Sequence, residues 1–134
     1  MKNFCQGVKR DSGGQALVET ALVIPLLLLL LMGIIQFGLI FNTDFILTNA
    51  SRAGARAAML GKSDTEIETI VEGAVAGLDT AKLTVDTTPS EGSRSYGDPV
   101  TVEVRYQLDL IVPLFDGILT DPMPLKASTT MRME

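Results

Sequence analysis

From Thr20 to Thr43 the chain carries no charged residue and reads TALVIPLLLLLLMGIIQFGLIFNT, apolar on every side of a helix. About 24 helical residues cover roughly 36 Å, enough to cross a hydrocarbon core of about 30 Å. A core helix of a soluble chain this short has nothing large enough to bury such a run, so the pattern predicts a membrane span over about 20–43. Lys2, Lys9 and Arg10 precede the span, and the sequence after it is acidic overall. The positive side stays in the cytoplasm, which leaves the C-terminal part outside. The run is too long for the apolar region of an ordinary signal peptide, has Glu19 at its start, and is followed by no prompt small-x-small cleavage site. Helix formers continue through Asp44 to Leu60, so one extended helix is expected from about Leu17 to Leu60, with Pro25 kinking its early part. Ala50, Gly54 and Ala58 recur at i, i+4, i+8 and form a face that another element can approach closely, either the chain's own sheet or another subunit. Arg52 and Arg56 share a different, solvated or headgroup-facing side.

Beyond Gly61 the periods change. Ser63 and Glu66 have the spacing of a capping box, and Ile67, Ile70, Val71, Ala74, Val75 and Leu78 form the apolar face of a second helix. Three segments then alternate with period two: Leu83 and Val85; Val100 through Leu110; and Leu125 through Met133. One apolar and one polar face per strand predicts a half-buried antiparallel sheet. The fold class is therefore α+β, a long N-terminal transmembrane helix packed on a small head with one further helix and a roughly three-stranded antiparallel sheet. The connection Thr87 to Pro99 is rich in Gly, Pro and Ser and reads as an exposed, mobile loop. The connection Ile111 to Pro124 is more apolar. Leu114, Phe115, Ile118 and Leu119 lie close together in it, either capping the sheet edge or forming a patch for a partner.

Composition narrows the chemistry. The chain of 134 residues has no His, no Trp and one Cys, which removes imidazole acid–base chemistry, Cys/His zinc sites and Ser-His or Cys-His nucleophile pairs. The remaining acidic residues show no catalytic or metal-binding spacing, so no enzyme, no metal and no cofactor is expected. A net charge of −5 without a basic cluster also excludes nucleic acid as a partner. Glu19 is the residue that stands out, because a carboxylate at the edge of a span is costly unless it meets headgroups, a helix N-terminus or a positive partner.

The stretches GGQALVETALVIPLLLLLLMGIIQFG (Gly13 to Gly38), LTNASRAGARAAMLG (Leu47 to Gly61) and the terminal STTMRME resemble the TadE-like family of tight-adherence, Flp type IVb pili. Members of that family are pilin-like minor subunits, or pseudopilins. The resemblance implies a pilin-like fold and a cut by a membrane aspartyl prepilin peptidase between Gly14 and Gln15, which makes Glu19 the fifth mature residue. Gly at such a site lets the peptidase hold the backbone closely. Residues 1–14 are then a cytoplasmic leader, 15–62 the long helix and 63–134 the head. The leader carries Cys5 away with it, so the mature chain has no thiol to staple it. Glu19 would pair with a newly freed α-amino group, its own or a neighbour's, when the subunit is assembled.

The function implied is structural: a minor pilin needed for pilus assembly and surface adherence. Its partners would be the membrane (single span), the prepilin peptidase, major and other minor pilins and the assembly platform. It would sit in the bacterial cytoplasmic membrane with the head outside, or be incorporated in the pilus. Two alternatives remain open at this point, a pseudopilin of a related secretion system and an uncleaved signal-anchored envelope protein whose outer domain binds a partner or ligand.

Overall fold

The computed structural model describes residues 12–112, 117 and 119–134. The chain is α+β, with a long helix α1 (Ser12–Met59), a second helix α2 (Asp64–Ala74) and strands β1 (Leu83–Thr88), β2 (Pro99–Leu108) and β3 (Met123–Arg132). It divides into two units at Ile35, the first holding the early part of α1 and the second running Gln36–Glu134. The helix itself is unbroken across Pro25. It also starts earlier than Leu17, passing through Gly13 and Gly14. Two glycines each cost about 1 kcal/mol of helix propensity, a local cost that the long helix following them outweighs.

Among the described residues of the first unit nearly every side chain is exposed, including Leu17, Leu22, Leu26, Leu30 and Ile34. Only 11% of the most apolar window of α1 is buried. A helix that is apolar all round and, among the described residues, left largely uncovered is what a lipid solvent requires. Thr20 conforms: its hydroxyl donates to the Ala16 carbonyl at 2.8 Å, so no polar hydrogen is left over.

The second unit is built on the change from lipid-facing to two-faced helix. Gln36, Ile40, Thr43, Leu47, Ala50, Gly54 and Ala58 are buried, while Phe37, Phe41, Phe45, Arg52 and Arg56 are exposed. The buried positions advance by three or four residues, keeping one face toward the head. The sheet order is β1-β2-β3, antiparallel throughout. Val85 pairs with Val104 and Val104 with Ala127, so the inward residues of all three strands share one face. Val100, Val102, Val104 and Tyr106 of β2, with Leu125 and Ala127 of β3, form the core together with Ile67, Val71 and Val75 and the small residues of α1. The outer face is charged. Arg105 binds both Glu103 and Asp86, and Lys126 reaches Glu103 at 3.4 Å. The Arg105 hydrogen bond, with Lys126 in support, holds the Glu103 carboxyl below its usual range despite some desolvation.

α2 starts as its sequence dictates. The Ser63 hydroxyl accepts from the Glu66 amide at 3.3 Å, and the Ser63 amide donates to the Glu66 carboxylate at 3.1 Å. The helix ends at Ala74, before Gly77, whose φ of +85° suits only a residue without a Cβ. The loop between β1 and β2 is held by Arg94, a buried cation with its side chain 3% exposed. Arg94 donates to the Pro89 and Lys62 carbonyls, each at 2.9 Å, and pairs with Asp64. Asp64 and Glu91 also exchange backbone-to-carboxylate bonds, so this Gly/Ser-rich loop is fastened to the start of α2.

Two outcomes follow from this packing. A Cβ at Gly54 would lie 2.7 Å from Val71 Cγ2 and 3.0 Å from Val102 Cγ1. Gly54→Ala should therefore lower stability by about 1–3 kcal/mol through overpacking, read as a lower unfolding midpoint of the full chain in detergent; an unchanged midpoint would mean that the contact yields. The second concerns acid. The Ser63 backbone bond first, then the Ser63 hydroxyl and Lys62, hold the Glu66 carboxyl below its usual value. Its contribution is present above the unfolded-state value and is lost as pH falls through the folded one. Acid titration of Glu66→Gln should show a smaller loss of stability below about pH 4.5 than the parent.

Candidate functional site

The expected site residues fall into three groups along the chain. Gly14, Gln15 and Glu19 are exposed in the first turns of α1. The first four amides of a helix have no intrahelical partner, so the turn holding Gly14 and Gln15 is inexpensive to unwind. Among the described residues Glu19 has no hydrogen-bond or ion-pair partner. A shallow groove beside it is lined by Gly13, Ala16, Leu17, Thr20, Ala21 and Ile24. Pro25 lies a turn and a half further on, inside the continuous helix.

Ala50, Gly54 and Ala58 are buried, and the atoms that meet Gly54 are the chain's own Val71, Val102 and Ile67. Beside them the Ser51 hydroxyl, fully buried, bonds the Thr129 hydroxyl of β3 at 2.7 Å and donates to the Thr48 carbonyl. Of the apolar group on the last connection, Leu114, Phe115 and Ile118 lie outside the described residues, and Leu119 is half-buried. Arg52 and Arg56 are exposed and, with Ala53 and Met131, line a shallow hollow. Among the described residues no three Asp, Glu or Cys gather as a metal site would require.

The residue that sequence reasoning passed over is Gln36. It sits within the uncharged run and is 1% exposed. Its Oε1 accepts from the amides of Ile111 at 3.0 Å and Val112 at 3.3 Å. A side-chain acceptor with two backbone donors fixes the foot of the last connection on α1. The available signal was a lone amide among apolar neighbours, which the hydropathy of the run outweighed.

The sequence and this geometry together bear on family. Residues 14–56 match the family model for TadE-like protein. That is about a third of the chain, and it is the family its sequence resembles. No curated protein and no solved structure matches the chain. The TadE-like segment starts at Gly14 and takes in Glu19, Pro25, Gln36 and the Ala50–Gly54 face, but ends before α2 and the sheet. It points to a protein related to the tight-adherence pilus, and its apolar helix to a single-pass membrane protein.

The two bonds to Gln36 carry a measurable consequence. Gln36→Leu keeps the apolar volume but leaves the Ile111 and Val112 amides without their acceptor, at a cost of about 1–3 kcal/mol for each group that stays buried. Hydrogen exchange at those two amides should accelerate in the full chain, whereas amides of β2 keep their rates; unaltered exchange at Ile111 and Val112 would show that water or another acceptor replaces the glutamine.

Proposed function

We propose that the chain is a minor pilin, or pseudopilin, of a tight-adherence (Flp) pilus, cut by a prepilin peptidase between Gly14 and Gln15. The observation that carries this reading is the TadE-like match, which begins at Gly14 and runs through the apolar helix with Glu19 at its start. The exposed and easily unwound first turn of α1 supports the cut. In this reading the protein is a structural subunit and a peptidase substrate, not a catalyst. The leader remains in the cytoplasm, the span holds the subunit in the membrane, and the head stands outside until pilins and the assembly platform take it up. Leu114, Phe115, Ile118 and Leu119 are the residues proposed to meet a partner pilin.

Glu19 is proposed as the assembly charge. A lone carboxylate on an apolar helix is expensive in lipid and becomes tolerable beside an ammonium group, such as the α-amino group that cleavage creates at residue 15. The same cleavage and the same charge would serve a pseudopilin of a related secretion system. The TadE-like match favours the tight-adherence reading.

The deciding experiment is the intact mass and first residue of the protein recovered from its native membrane, with and without the prepilin peptidase. A start at Gln15 that depends on the peptidase is expected. Residues 1–14 retained in both strains would end the pilin reading in favour of a signal-anchored envelope protein. Glu19→Ala should be cut and inserted normally yet fail to support pilus assembly, scored as loss of surface pili; normal piliation would remove the role given to the carboxylate.

A further inference from the structure

Counting from Glu19, a hydrocarbon core of about 30 Å takes about 20 helical residues, which puts its outer boundary near Leu39 or Ile40. The fold of the second unit begins before that boundary. Gln36 is already buried under the head's last connection, and Ile111 is tied to it by a 3.0 Å bond. Asp44, the first charged residue after the run, is exposed and lies eight residues further along α1, about 12 Å by helical rise. The side of α1 not covered by the head carries Phe37 at 52% and Phe41 at 70% exposure, and Ile111 is 67% exposed at the level of Gln36.

The backbone at this level is treated as lipid demands. Hydrocarbon offers no partner to a free amide, and there irregular chain is tolerated only when protein groups satisfy it. The Ile111 and Val112 amides both use a side-chain acceptor from α1 instead of water. Exposed apolar side chains at the same level as two backbone amides satisfied by a protein side chain are the marks of a surface whose solvent is the membrane interface.

We infer that the foot of the head is seated in the outer lipid interface, with Phe37, Phe41 and Ile111 in contact with acyl chains and glycerol groups and Asp44 marking the water side. The occupant of this face is lipid, continuous with the lipid around the span. This rests on the membrane reading of α1 but not on the pilin reading.

The chain has no Trp, so a single introduced Trp reports alone. The full chain is reconstituted in phosphatidylcholine vesicles as Leu27→Trp, Phe41→Trp, Ile111→Trp and Tyr96→Trp, with acyl chains brominated either close to the glycerol or close to their ends. Leu27→Trp marks the span, and Tyr96, 88% exposed in the loop before β2, marks water. Expected is a blue-shifted emission from Phe41→Trp and Ile111→Trp that loses most of its intensity with the shallow bromines and little with the deep ones. Both emitting like Tyr96→Trp, unquenched, would overturn the inference while a quenched Leu27→Trp leaves the span intact. Blue-shifted emission that no bromine quenches would also overturn it, because protein and not lipid would then cover the face. An unquenched Leu27→Trp would bring down the membrane reading and this inference together.

Discussion

The head depends on a glycine. Its sheet has one apolar face, and α2, eleven residues long, covers only part of it. The rest is covered by α1, and the approach is close enough that Gly54 has no room for a side chain between Val71 and Val102. Ala50, Ala57 and Ala58 are buried in the same core. A domain of about 70 residues buries only about 60% of its unfolded surface and is marginal alone, so the helix is a structural part of the core and not a tether attached to it.

One helix therefore serves two solvents, and the transition is abrupt. Through Ile35 the side chains of α1 face outward on all sides; from Gln36 every third or fourth residue turns into a protein core. The polar groups on that inner face are few, and among the described residues all their buried side-chain oxygens are bonded, while Gln36 Nε2 has no partner. Gln36 accepts two amides, Thr43 donates to Leu39, and Ser51 meets Thr129. Each bond removes a desolvation cost that an unpaired group would carry in the same place.

Much of this was legible in the sequence because it is periodic. The uncharged run, the capping box at Ser63 and Glu66, and the alternation of Val100, Val102 and Val104 each repeat at the spacing of the element they form. The features that stayed hidden are single residues whose partners are far away. Gln36 is 75 and 76 residues from the amides it holds, and Arg94 reaches Asp64 across 30 residues. No local pattern encodes such pairs. Arg94 in particular sits in a Gly/Ser-rich stretch whose composition says loop, while its buried guanidinium fastens that loop down. α1 begins at Ser12, a little before the first apolar residues, because the cost of Gly13 and Gly14 is local and the long helix that follows outweighs it.

The Ser51–Thr129 hydroxyl pair joins residues 78 apart, and the Gln36 bonds span nearly as much chain, whereas the β1–β2–β3 meander is sequential. Contacts between neighbours in sequence close first, and distant ones wait for the loop entropy to be offset. The meander can thus assemble with its valine face still open, and the closing step is the arrival of that face on the later half of α1. Completion of the head is in this sense a late, long-range event, because the middle of α1 and the last strand must both be in place before Ser51 can meet Thr129.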